Sequence, residues 1–104
     1  MSQTKTIGGK QISVNEEGYL TDFNQWDKNV AEELAKEAHI DLTQRHWDVI
    51  KFLQDQHQKE VALNIRKVGS SGVVDIKEFY QLFPQGPLKT STKIAGIPKP
   101  ASCI

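Results

Sequence analysis

The sequence is poor in cysteine: among 104 residues there is one, Cys103, the residue before the last. A single thiol closes no internal disulfide, which excludes a disulfide-stapled secreted module. Charge of one sign is also missing. Thirteen Lys and Arg offset 13 Asp and Glu, which argues against a chain that coats nucleic acid or membrane by bulk charge. Long apolar runs are absent too; none approaches the roughly 18 residues that cross a bilayer. The segment Met1–Lys10 is polar and lacks the apolar centre of a signal peptide. A prenylation box would need its cysteine at the fourth position from the end. The expectation is a soluble, cytoplasmic protein with no membrane partner. The length suits one small domain that folds alone with little stability to spare.

What is present reads as a mainly α, α+β chain. Thr6-Ile7 and Gln11-Ile12-Ser13-Val14 are β-branched stretches around Gly8-Gly9, a turn signal, and Val14 and Tyr19-Leu20 flank a second polar turn. This predicts a small N-terminal β-hairpin that must pack on something else to persist. Trp26, Val30, Leu34 and Ala38 recur every four residues and predict a first helix, with Asn24 as its N-cap and His39-Ile40-Asp41 as its break. A second helix is expected from about Thr43 to Lys59, capped by Asp41 or Thr43, with Trp47, Ile50 and Leu53 inward. On its outer side Asp48–Lys51 and Lys51–Asp55 stand at pairing distance. Val61 to Val68 is expected to hold one or two helical turns, ended by Gly69-Ser70-Ser71-Gly72. Asp75 starts a short helix through Leu82, and Pro87 starts a last one, from Leu88 to Ala95, closed by Gly96. The expected architecture is a small orthogonal helical bundle with the hairpin, over residues 1–96, and a flexible C-terminal arm over 97–104.

The arm carries the chemistry. Pro98-Lys99-Pro100 favours an extended, polyproline-like path, and the seven residues from Gly96 to Cys103 reach at most about 25 Å. A thiol on such a tether can be presented to another protein's active site. Lys89, Lys93 and Lys99 are the only charged side chains of the last 20 residues, and positive charge favours thiolate, while the C-terminal carboxylate opposes it. An exposed thiol starts near pKa ~8.5, so a partner must raise its reactivity; this suits a carrier. His39, His46 and His57 do not form a metal site with one distant cysteine, and Gly8-Gly9 lacks the context of a phosphate loop. No cofactor or metal is expected. The stretch from Asp41 to Lys67 has the outline of a helix-turn-helix, but Arg66 and Lys67 are the only basic groups of Val61–Lys67. Direct DNA binding is not expected.

Lys93-Ile94-Ala95-Gly96-Ile97-Pro98-Lys99-Pro100, followed by Cys103-Ile104, resembles the terminus of the DsrC/TusE family of sulfur-relay proteins. Leu82-Phe83-Pro84, Gly86-Pro87, Gly18-Tyr19-Leu20, Trp26, His46-Trp47 and Asn64-Ile65-Arg66 extend the resemblance from about Ile7 to Ile104. The resemblance implies a helical fold with an N-terminal hairpin. It implies that Cys103 accepts a sulfane sulfur as a persulfide and passes it on, with Lys93, Gly96, Pro98, Lys99 and Pro100 serving the arm and its docking. In the TusE branch the donor is a TusBCD-type (DsrEFH-like) complex, the acceptor a tRNA 2-thiouridylase, and the end point 2-thiolation of the wobble uridine. In the DsrC branch the acceptor is of the sulfite-reductase type and two arm cysteines take part. Here the second of these positions is Thr92, which favours a TusE-like, single-cysteine carrier. The alternative is a DsrC-like regulatory or adaptor protein that docks its arm on a sulfite reductase or relay complex without two-cysteine redox chemistry. The Gly69–Gly72 segment stands where the family is expected to have a longer helical stretch, which bears on partner choice.

Overall fold

The computed structural model describes residues 3–99. The chain opens with β1 (Gln3–Ile7) and β2 (Lys10–Val14), an antiparallel pair in register from Gln3 opposite Val14 to Ile7 opposite Lys10. Gly8 (φ 59°) and Gly9 (φ 81°) make the two-residue connection. Positive φ at both central positions is the tight hairpin geometry that follows the twist of the strands, and glycine adopts it without strain. The strand pair is marginal alone, and the expected support is present. Ile7, Ile12 and Val14 are buried in the core, and the Gln25 side chain extends the ladder. Its Oε1 accepts from Ser13 N–H at 2.7 Å and its Nε2 donates to the Ser13 carbonyl at 3.0 Å. The second turn closes on Asn15, whose Oδ1 accepts from the N–H groups of Glu17 and Tyr19 at 2.9 and 3.0 Å. Leu20 then bridges back to Val14.

Five α-helices follow among the described residues: α1 (Lys28–Glu37), α2 (Gln44–Gln58), α3 (Ile65–Gly69), α4 (Ile76–Leu82) and α5 (Pro87–Ile94). The first helix starts later than its apolar stripe suggests. Asn24 lies inside a single 3₁₀ turn, Phe23–Gln25, whose cap is Asp22, and Asp27 is the true N-cap of α1, its carboxylate accepting from Val30 N–H at 2.9 Å. Trp26 therefore sits between two capped starts and is free to pack elsewhere. Val30, Ala31, Leu34 and Ala35 are the buried face of α1, as the spacing requires.

Thr43 caps α2, with its N–H donating to His46 Nδ1 at 3.0 Å. Because Nδ1 accepts, the ring proton resides on Nε2, which faces the Leu82 carbonyl at 2.9 Å. His46 is buried, edge-on to Phe83 with ring centroids 5.1 Å apart. It is a core-edge residue tying α2 to the end of α4. The expected pairs of Lys51 do not form. Asp48 lies 3.8 Å from Arg45 and Asp55 lies 3.1 Å from Lys59. Arg45 also forks onto Glu78 at 2.6 and 2.9 Å and donates to the Val73 carbonyl at 2.7 Å, which ties the segment after Gly69–Gly72 to α2.

Helices α1, α2 and α5 end alike, each with a backbone 6→1 bond around a residue of positive φ. The bonds run from Ile40 N–H to Ala35 O around His39 (φ 59°), from Val61 to Gln56 around Glu60 (φ 58°), and from Ile97 to Thr92 around Gly96 (φ 75°). The core of the fold lies between the hairpin, α1, α2, α4 and α5, with Tyr19, Phe79, Phe83, Leu88 and Ile94 among its largest buried side chains.

Candidate functional site

The site is the root of the C-terminal segment. Pro87 occupies the first position of α5, where a missing N–H is harmless. Thr92, the position that bears on two-cysteine chemistry, is fully buried, its hydroxyl donating to the Leu88 carbonyl at 2.7 Å. Trp26 Nε1 donates to the Ile94 carbonyl at 2.8 Å, and Gln54 Nε2 to the Ala95 carbonyl at 2.9 Å. The last carbonyls of α5 are thus satisfied by side chains from two other elements. Gly96 turns the chain directly beneath the Trp26 indole; a Cβ there would stand 2.4 Å from Trp26 Cδ1. Ile97, which opens the stretch 97–104, is buried with the core at 1 % exposure. Pro98 and Lys99 are the first exposed residues after it.

Beyond this anchor two lysines have fixed surroundings. Lys99 Nζ lies 2.9 Å from Glu17 Oε2 in the second turn, and this hydrogen bond is the main cause holding the Glu17 carboxyl below its usual range. Lys93 Nζ stands 5.3 Å from the centre of the Tyr19 ring, a cation–π contact. Burial first, and then the charges of Lys89 and Lys5, push the Lys93 ammonium pKa down. Tyr19 in turn donates its hydroxyl to the Lys89 carbonyl at 3.1 Å.

Of the residues singled out by sequence, Lys93, Gly96, Pro98 and Lys99 are brought to this root, while Pro100 and Cys103 lie outside the described residues. Trp26, Gln54 and Glu17, which hold the root, were not singled out for it. Trp26 read as a core position of α1, and nothing local marks Gln54 or Glu17, because their partners are 41 and 82 residues away. No group of His, Cys, Asp or Glu among the described residues could hold a metal ion. No helix among them is long and apolar enough to cross a membrane. The helix-turn-helix outline ends in α3, which is five residues long.

The family model described as "DsrC like protein" matches residues 6–104. Sulfurtransferase TusE of Escherichia coli K12 is 36% identical over 92% of this chain and 95% of its own length. The NMR structure of DsrC from Allochromatium vinosum superposes with a TM-score of 0.83 at 38% identity, covering 100% of both chains. A chain in the crystal structure of dissimilatory sulfite reductase I (DsrI) gives a TM-score of 0.84 at 31% identity, over 98% of this chain and 100% of that one.

Proposed function

The chain belongs to the DsrC-like protein family, and on that premise we propose that it is a sulfur carrier in a relay. Cys103 accepts a sulfane sulfur as a persulfide and hands it to an acceptor. The observation that carries this reading is the position of the lone thiol. Cys103 follows four residues after Lys99, the last described residue of a root that Trp26, Gln54 and the buried Ile97 anchor. Four residues span at most about 14 Å, enough to enter a partner's cleft while the domain stays outside. The relatives named sulfurtransferases, matched over most of the chain, support the sulfur-relay role.

The step is an exchange of thiol for persulfide. The Cys103 thiolate attacks the outer sulfur of a donor persulfide, R–S–SH. One S–S bond forms and one breaks, the donor departs as its thiolate R–S⁻, and Cys103 carries –S–SH with no net oxidation. The same displacement repeats toward the acceptor. The donor in this reading is a TusBCD-type (DsrEFH-like) complex and the acceptor a tRNA 2-thiouridylase, so that the sulfur ends in wobble-uridine 2-thiolation in the cytoplasm. Thr92 supports single-site chemistry, since its hydroxyl is held inside α5 and offers no second sulfur.

A second reading draws support from the DsrI likeness: an adaptor that docks its C-terminal segment on a sulfite-reductase-type partner without carrying sulfur. Cys103→Ser separates the two. A carrier loses all sulfur transfer between a persulfidated donor and the acceptor, whereas an adaptor keeps its binding and its effect.

A further inference from the structure

A polar cleft of about 580 Å³ opens beside the root, between β1, the second turn and α5. Lys5, Glu17, Gly18, Glu37, Lys89 and Lys93 line it. Its carboxylates and ammonium groups are unequally used. Glu17 is engaged by Lys99 and Glu37 by Lys5. Lys89 and Lys93, one helical turn apart on α5, have no carboxylate within 4.0 Å among the described residues. Lys93 is no swinging surface lysine. It is half-buried, seated over the Tyr19 ring and against Gly18, where a Cβ would come within 3.6 Å of its Nζ.

We propose that this cleft is a docking site for an acidic segment of the sulfur partner protein, with a carboxylate received between Lys89 and Lys93. The proposal rests on the carrier reading and names the chemistry of the partner's contact. A partly desolvated ammonium crowded by two like charges gains more from an incoming anion than a solvated one does. Burial, then Lys89 and Lys5, push the Lys93 pKa down against a smaller upward pull from Glu17 and Glu37. The volume lies within the range of about 300–1,000 Å³ that holds a drug-sized ligand, equivalent to a few extended residues rather than a single oxyanion. A nucleic-acid backbone fits less well. It presents a charge at every phosphate, and Glu16, Glu17 and Glu37 share the walls with the lysines. Because Glu17 of the cleft wall also holds Lys99, a segment docked there lies beside the end of the anchored root. Docking and sulfur transfer then use adjoining surfaces.

The test is an amide NMR titration of the full chain with an acetylated and amidated Ser-Gly-Glu-Gly-Ser peptide, which brings a single carboxylate, in parallel with a short oligoribonucleotide. The expected result is peptide-induced shifts at Lys5, Gly18, Lys89 and Lys93 that weaken with added salt. Binding should fall about fivefold in the K89Q/K93Q variant, the loss expected for two ion pairs of modest strength. K89Q alone, which leaves the Tyr19 contact in place, should lose about half of that free energy and guards against misfolding of the double variant. Absence of shifts in the cleft, equal binding by the variants, or preferential binding of the oligoribonucleotide there would overturn the proposal. Sulfur loading of the unaltered chain by inorganic polysulfide, read by intact mass, is scored separately. Its failure removes the carrier reading and leaves the titration result standing.

Discussion

Gly96→Ala is predicted to loosen the root of the C-terminal segment, and to cost more than the same change at Gly8, Gly9, Gly18 or Gly72. Two costs combine. The φ of 75° lies in the left-handed region, which costs an L-residue about 1–2 kcal/mol. The new Cβ would stand 2.4, 2.7 and 2.9 Å from Trp26 Cδ1, Cγ and Cβ. Those are ring-base atoms rather than the far end of a flexible chain, so the whole indole must move. Moving it strains its stacking on Phe23 and breaks the 2.8 Å bond from Nε1 to the Ile94 carbonyl, a bond worth about 1 kcal/mol. Alanine returns about 0.4–1 kcal/mol by restricting the unfolded chain. The net loss is about 1–2.5 kcal/mol, and for a domain of this size that lowers Tm by roughly 5–20 °C. Urea unfolding followed by far-UV circular dichroism gives the free energy, and near-UV dichroism reports Trp26. Gly9→Ala is the control. It shares a positive φ but meets nothing within 4 Å, so the difference between the two variants isolates the Trp26 contact. A Gly96→Ala loss under about 0.5 kcal/mol, or one equal to that of Gly9→Ala, would refute the reasoning.

Other outcomes follow from the same contacts. Glu60→Gly removes a side chain from a left-handed helix terminus (φ 58°) and is expected to stabilise by about 0.5–1 kcal/mol, seen as a higher urea midpoint at unchanged m-value. His46→Ala strips partners from Thr43 N–H and the Leu82 carbonyl and uncovers Phe83; calorimetry should show a loss of about 2–4 kcal/mol. The carboxyls of Asp27, Glu17 and Glu78 are lowered chiefly by their hydrogen bonds to Lys10, Lys99 and Arg45. A lowered carboxyl contributes stability that is complete above its unfolded pKa and is lost as pH falls through its folded one. Stability should therefore hold at neutral pH and decline below the ordinary values of 3.8 and 4.5. Asp27→Asn should flatten that acid limb in a pH series of urea midpoints.

Local chemistry made much of the fold legible. Gly8-Gly9 between β-branched stretches gave the hairpin, Pro87 and Gly96 bracketed α5 closely, and Asp75 marked the start of α4. The error at α1 came from a period that was real but continued too far. Trp26 matches the stripe, yet Asp22 and Asp27 each capture a backbone N–H and divide the segment into two starts. The expected Lys51 pairs gave way to neighbours at the same helix spacing, Arg45 for Asp48 and Lys59 for Asp55. Arg45 spends its fork on Glu78, 33 residues on, and no helix-spacing rule reaches that far. Of the site residues expected from sequence, Lys93, Gly96, Pro98 and Lys99 fall at the root, while Pro100 and Cys103 lie outside the described residues. The support of that root by Trp26, Gln54 and Glu17 became visible only once tertiary packing brought them to the end of α5.

The central claim is that one sulfur is held on one thiol and passed on. Incubation with a persulfidated donor protein, followed by intact-mass spectrometry, tests it most directly. The account predicts one added sulfur atom on the unaltered chain, none on Cys103→Ser, and loss of that mass when an acceptor thiol is supplied. An unaltered chain that gains no sulfur, or a Cys103→Ser chain that gains as much, would contradict it.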